Sequence, residues 1–300
     1  MTKITRARTF TCRDCRKLCQ QQELAMSTSQ SGLCLDCYKG GSRLKIEWIE
    51  QFAYRTVVVD ALSESNPDLP RGASNHVLEE YRAVKVGPER YPRTLHWPDS
   101  PGMPDGDRAI LHPGVFVGPE IIVTEKLDGS NVLLHGGEAY GRSVSMPTTA
   151  PWHAMVKKHH AWKTRGFGGM VYGEDIYGVH SIEYGPVSEN RTFYAFALRI
   201  GDLFESFDTT CMRIQSLGIG IVPLLWRGRI RSVDALNDLI VREMAQPSYL
   251  GGDREGVVVR LAHAFHVSDF QSSLAKSVRV NHVQSDEHWT RNWRTCRILK

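Results

Sequence analysis

From residue 120 onward the chain alternates short apolar runs with polar turns. Seven segments have the β-branched and aromatic density of strands: Glu120–Glu125, Asn131–His135, Met170–Glu174, Thr192–Ile200, Ile219–Trp226, Gly256–Leu261 and Leu274–Val278. Two stretches read as helices. Thr149 followed by Pro151 opens one that runs to about Lys163, and Ser232 caps another over Val233–Met244. Strands and helices do not alternate strictly, so an antiparallel α+β domain is expected in place of repeated βαβ units. Upstream the pattern is weaker. Leu44–Phe52 has helical spacing, Tyr54–Leu62 is strand-like, Glu64–Ala73 is a polar loop, and Ser74 or Asn75 can cap a short helix through Arg82. The Pro- and Gly-rich stretch Tyr91–Pro119 reads as a meandering lead-in, and no internal repeat or low-complexity tract occurs.

Composition excludes several classes. Of 300 residues, 41% are hydrophobic and 23% charged, the balance of a folded domain and not of a disordered, collagen-like or coiled-coil chain. The length fits two domains, or one with an appendage. No apolar run nears the ~18 residues that span a bilayer, and the basic segment Met1–Phe10 lacks the apolar core of a secretory signal. A cytoplasmic monomer without membrane contact is expected. The net charge of +4 is uneven. Residues 1–45 hold nine Lys/Arg and three Asp/Glu, a net of +6, while the remainder nets −2. A polyanion partner for the first segment follows.

That segment also holds five of the seven cysteines. Cys12-x2-Cys15 and Cys34-x2-Cys37 are separated by 18 residues. Each pair offers two thiolates to one ion, and four thiolates complete the tetrahedral shell of structural Zn²⁺. A segment of about 40 residues cannot bury enough core to fold unaided, so a metal also explains its folding. Cys19 sits beside the expected site, and Cys211 and Cys296 are isolated. The organisation expected is a zinc-ribbon-like module over 1–42, a connection over 43–90 and the main domain over 91–300.

The usual phosphate cradles are missing: there is no G-x-x-x-x-G-K-[ST] loop and no GxGxxG turn after a strand. Instead Thr124-Glu125-Lys126-Leu127-Asp128-Gly129-Ser130-Asn131 follows the apolar run Ile121-Ile122-Val123. A lysine at a strand–turn junction becomes a nucleophile when burial or neighbouring cations leave it neutral. Taken alone, K-x-D-G is more often a turn. Here it opens an ordered set: Gly141-Arg142-Ser143, Val171-Tyr172-Gly173-Glu174, Phe193-Tyr194-Ala195-Phe196, Arg254-Glu255-Gly256 and Ala275-Lys276-Ser277-Val278-Arg279. Over about residues 90–290 this series resembles the motifs of the covalent nucleotidyltransferases, the ATP-dependent ligases and mRNA-capping enzymes. It is most similar to RNA ligases of the RNA ligase 2 type.

The resemblance implies a nucleotidyltransferase core of antiparallel sheets with flanking helices. It implies ATP and Mg²⁺ or Mn²⁺ as cofactors, and RNA with 5′-phosphate and 3′-hydroxyl ends as partner, in a bacterial or phage-infected cell. Lys126 takes the place of the nucleophile that holds AMP. Glu255 falls near the metal, and Lys276 falls where it neutralises the α-phosphate and can depress the pKa of Lys126. Glu125, Asn131, Arg142 and Glu174 match nucleotide-contacting positions, and Phe196 matches the ring that stacks on adenine. His153, His159 and His160 are expected on a solvent face near nucleic acid.

Two departures stand out. The family's last motif carries a second lysine two residues on, where this chain has Val278, and Arg279 is the expected substitute. Only 21 residues follow Arg279, too few for the appended domains of ligases or capping enzymes, so the basic N-terminal module is expected to act as the clamp. A capping-type guanylyltransferase, a DNA ligase and a catalytically decayed nucleic-acid-binding protein are the competing readings.

Overall fold

The computed structural model describes residues 9–11, 18–20, 87–280 and 293–299. The chain divides into two compact units, Met1–Lys85 and Val86–Lys300. In the first, Thr9–Thr11 (β1) and Leu18–Gln20 (β2) pair antiparallel, with Phe10 opposite Cys19. Cys12, Cys15, Cys34 and Cys37, and the elements expected between Leu44 and Arg82, lie outside the described residues.

The second unit begins with Glu120–Lys126 (β3), Ser130–His135 (β4) and Glu138–Tyr140 (β5), then the short helix Ala154–His159 (α1). Met170–Asp175 (β6), Gly178–Val179 (β7), Phe193–Ile200 (β8) and Leu203–Phe204 (β9) follow, then the helix Phe207–Ser216 (α2). Gly220–Ile221 (β10) and Leu224–Arg229 (β11) lead to the helix Val233–Met244 (α3) and to Gly256–Leu261 (β12). Phe265–His266 (β13), the single turn Phe270–Ser273 (α4), Leu274–Val278 (β14) and Arg294–Thr295 (β15) complete it.

These strands form two main sheets. One has four strands in the order β11-β3-β12-β14, all antiparallel. The other has seven, in the order β13-β9-β8-β6-β4-β5, with β10 added parallel to β8. The sheet pair β15-β7 stands apart. On the four-stranded sheet, Leu236, Leu239 and Ile240 of α3 pack against Ile121, Val123, Val257 and Val259. Their spacing of three and four residues puts them on one helical face. Ser232 caps this helix by accepting the Ala235 N–H at 3.2 Å, as the sequence predicts. Between the sheets lies an aromatic layer of Tyr172, Phe204, Phe265 and Phe270, against which Tyr91 and Phe196 pack.

Three expectations are corrected. Ile219–Trp226 is not one strand. Pro223 has no N–H for a ladder, and there the chain leaves the larger sheet at β10 and joins the smaller at β11. The helix expected from Pro151 to Lys163 is the 3-10 turn Pro151–His153, then α1, then a second 3-10 turn, Ala161–Thr164. Within it His153 and His160 are buried, 4% and 0% exposed, and do not form a solvent face. Helix α2 was not legible because Thr209, Thr210 and Cys211 are weak helix formers, although Ser206 caps it through the Thr209 N–H at 3.1 Å. No helix among the described residues is long and apolar enough to cross a membrane.

Candidate active site

Strand geometry collects the site. Side chains two apart share a sheet face, so Ile122, Thr124 and Lys126 of β3 point the same way, beside Val258 and Arg260 of β12 and Leu274 and Lys276 of β14. Facing them from the larger sheet are Asn131 and Leu133 of β4, Glu174 of β6 and Phe196 of β8. The cavity between them has a volume of about 530 Å³, in the range of ordinary ligand pockets. Its lining joins apolar surface (Ile122, Leu133, Val144, Val222, Val258) to the cations Arg90, Arg93, Lys126, Arg142, Arg260 and Lys276. A flat apolar base with an anionic tail fits that combination.

The turn after Lys126 is sterically fixed. A Cβ on Gly129 would come within 2.5 Å of the Asp175 carbonyl oxygen, so the turn before β4 can approach the end of β6 this closely only with glycine. Asp128 accepts the N–H groups of Ser181 and Ile182, both at 2.7 Å, and its own N–H donates to the Tyr184 hydroxyl at 2.7 Å. Lys126 therefore leaves its strand from a clamped junction.

The Lys126 ammonium donates to both carboxylate oxygens of Glu255, at 2.7 and 2.6 Å. Burial acts to lower the pKa of Lys126, but Glu255, Glu174 and the hydrogen bond outweigh it and hold the amine above its ordinary value. The net shift of Lys126 is thus upward, set by the carboxylates around it. It is Lys276 that is lowered, by burial first and by Lys126 second. Burial raises Glu255, with Lys126 opposing. Glu174 is pushed up to about 8 by burial, with Glu255 and Asp128 adding to the rise and Lys126 opposing it.

Asp128 raises both glutamates by its charge, so the three carboxyls stand close enough to crowd hard oxygens around this ammonium. That fits a divalent cation held partly by carboxylate and partly by substrate phosphates, the habit of Mg²⁺. Among the described residues no set of three or more His, Cys, Asp or Glu is arranged to hold a metal by itself. Glu255 is consistent with one such ligand and insufficient alone.

Other expected site residues fall in three ways. Asn131, Arg142, Glu174, Phe196 and Lys276 line the cavity, with Arg142 exposed at its edge. Glu125 meets the cavity along its strand, but its buried carboxylate is occupied elsewhere. It accepts the Tyr249 N–H at 3.0 Å and lies 3.8 Å from Arg254. Arg279 is not among the lining residues; its guanidinium pairs with Asp253 at 2.7 Å. As the residue after β14, three places beyond Lys276, it does not share the cavity-facing position of that lysine.

The segment before β3 supplies what sequence reasoning missed. Arg90, Tyr91, Arg93 and Thr94 line the cavity. Asp107 accepts from Arg93 at 2.8 Å, contacts the buried His96 ring at 3.1 Å and lies 4.0 Å from the Lys276 ammonium. Backbone bonds fasten the same segment to β14: Trp97 N–H to Lys276 O at 2.7 Å, and Lys276 N–H to Leu95 O at 3.0 Å. Only the clustered cations Arg90 and Arg93 offered a signal, inside a stretch whose prolines read as a loop.

Comparisons with known proteins add the following. A family model described as RNA ligase matches residues 119–278, just over half of the chain. A search of curated protein sequences returned no match. An apo mutant of a Naegleria gruberi RNA ligase is similar at 16% identity and a TM-score of 0.45, covering 64% of this chain and 56% of that one. Another mutant Naegleria gruberi RNA ligase, with ATP and Mn, is similar at 18% identity and 0.43, covering 65% and 58%. An archaeal ATP-dependent RNA ligase is similar at 16% identity and 0.42, covering 64% and 48%. The chain thus spans about half to three-fifths of these proteins' own length.

Proposed function

The chain belongs to the RNA ligase family, and on that premise we propose that it is an ATP-dependent RNA ligase, of the RNA ligase 2 type, that joins 5′-phosphate to 3′-hydroxyl ends. The observation that carries the reading is the cavity in which Lys126, bonded to Glu255, meets Glu174 and Lys276 from separate strands.

The chemistry runs in three transfers. The Lys126 amine attacks the α-phosphorus of ATP; an N–P bond forms, the bond to pyrophosphate breaks, and the amine proton passes to Glu255. An RNA 5′-phosphate oxygen then attacks the adenylyl phosphorus, and Lys126 leaves with a proton, giving adenylylated RNA. Finally a 3′-hydroxyl attacks that RNA's 5′-phosphate; the phosphodiester bond forms, the bond to AMP breaks, and the hydroxyl proton passes to water as AMP departs. Lys276 and Arg142 offset phosphate charge, and Phe196 offers a ring to the base. A divalent cation, when bound, would offset charge on the phosphate oxygens with Glu255 among its ligands. Incubation with α-labelled ATP or GTP, followed by a denaturing gel, tests the reading: label from ATP supports it, label from GTP alone indicates a capping-type enzyme, and no label indicates a decayed core.

Asp107 positions Lys276 in this scheme. Asp107→Asn is expected to raise the ATP concentration for half-maximal adenylylation about tenfold, equal to about 1.4 kcal/mol, with a smaller change in maximal rate. Asp107→Glu should recover part of it. A loss of maximal rate with unchanged half-saturation would contradict the assignment.

The paired cysteines support one structural Zn²⁺ per chain at Cys12, Cys15, Cys34 and Cys37, in a module that helps hold RNA. Elemental analysis of freshly purified protein should find about one zinc per chain. Removing residues 1–42 should weaken RNA binding and sealing more than self-adenylylation. Absence of stoichiometric zinc, or equal loss of both activities, would count against this division.

A further inference from the structure

Between Glu138 and Glu174 the chain runs for 35 residues without an acidic side chain, and carries Arg142, Lys157, Lys158, Lys163 and Arg165. The fold wraps this stretch from the cavity round the β5 edge, so that α1 and the turn after it, through Val156 and Ala161, pack on the sheet face opposite the cavity. Strand β5 leads into Gly141 and Arg142, both of which line it. A Cβ on Gly141 would sit 3.3 Å from the His153 ring, so the start of the helical segment is pressed against the cavity's edge. Thr148 bonds that ring at 2.9 Å, and the Lys157 ammonium donates to the Thr148 carbonyl at 3.3 Å.

Beyond α1 the cations gather. Lys158 is 57% exposed, Arg165 and Arg191 are exposed, and Lys163 donates to the Gly218 carbonyl at 2.8 Å. Burial and then the charge of Arg191 lower the pKa of Lys163, which places Arg191 in the same cluster. The buried His160 beneath is held at about 4 by burial first and Lys163 second. One acid intrudes: Glu189 pairs with Lys158 at 2.6 Å and His159 at 3.2 Å. That pair is solvent-exposed and cheap to exchange for a phosphate. Trp162 stands 55% exposed beside Lys163.

We propose that this surface, wrapping from Arg142 at the cavity round the sheet edge to Lys158, Trp162, Lys163, Arg165 and Arg191, carries the RNA strand that enters the cavity. Cations spaced along a strip suit a phosphate backbone, and an exposed indole among them suits an unpaired base. The inference rests on the ligase reading and adds where the core itself grips its substrate. Arg191 comes from a separate 3-10 turn, Glu189–Arg191, so two chain segments build the strip.

The test uses the full-length protein and a labelled, 5′-phosphorylated single-stranded RNA. Lys158→Gln/Lys163→Gln/Arg165→Gln should flatten the log–log salt dependence of binding by about 2, since each phosphate contact contributes roughly 0.7 for single strands. Trp162→Ala should weaken binding about tenfold with the salt slope unchanged, and Trp162→Phe should restore part of it. The charge-preserving variant Lys158→Arg/Lys163→Arg/Arg165→Lys should keep the wild-type slope. All should take up AMP on Lys126 as the wild type does, which also reports that they fold. A triple neutral variant that takes up AMP yet binds RNA with an unaltered slope overturns the inference and leaves the ligase reading standing. A wild-type protein that takes up no AMP overturns both.

Discussion

Lys126→Ala should carry no label after incubation with α-labelled ATP and a divalent cation, where the wild type carries about one AMP per chain. The amine is the atom that would form the phosphoramidate, and among the described residues no other lysine of the cavity can take its place: Lys276 lies on a different strand and beside Asp107. The truncation leaves Glu255 without its counter-charge. Burial already raises that carboxyl, so it can take up a proton instead of standing as an unpaired buried charge. Lys126→Arg separates folding from chemistry. Its guanidinium can still pair with Glu255 but is not deprotonated in proteins, so it should fold like the wild type and remain unlabelled. Label on either variant would defeat the assignment of Lys126.

Glu255→Gln should slow self-adenylylation by about 10² to 10⁴, the usual contribution of a positioned acid–base group. It should also move the pH profile. The nucleophile must be neutral, and Glu255 is the largest influence holding the Lys126 pKa up. Removing that charge leaves burial, which lowers it, opposed only by the weaker pulls of Glu174 and Asp128. The alkaline limb of the rate profile, which rises as the amine loses its proton, should therefore shift to lower pH in the variant. Single-turnover adenylylation at saturating ATP across pH measures both effects. A slowed enzyme with an unmoved limb would mean that Glu255 does not govern the Lys126 proton.

What could be read from the chain followed the physics of each segment. Strands β12 and β14 fell where the β-branched runs placed them, and α3 showed its ends through Ser232 and its period through Leu236, Leu239 and Ile240. The break at Pro223 was written in the sequence but concealed by apolar residues on both sides. Arg279 shows the limit of spacing arguments: it is the next cation after Lys276, but one step past the strand's end it pairs with Asp253. Asp107 and His96 were illegible because their importance is tertiary. They lie in a loop-like stretch, and only its bonding to β14 brings them to Lys276. The buried His153 and His160 were misread for a related reason, since polar residues in a broken helix gave no periodicity that could indicate an inward face.

The chain passes between the two main sheets beside Lys126 in two places. One is the turn Leu127–Gly129 between β3 and β4; the other is Val222–Pro223 between β10 and β11, where the Pro223 carbonyl takes the Glu125 N–H at 2.9 Å. Two further crossings tie the opposite end of β12: the chain passes from Leu261 to β13 and returns through α4 to Leu274, which pairs with Arg260. Mechanically, the sheets are two plates riveted at both ends. The reacting amine would thus keep its place against Glu174 while large ligands come and go, so that their exchange need not disturb the alignment on which bond formation depends.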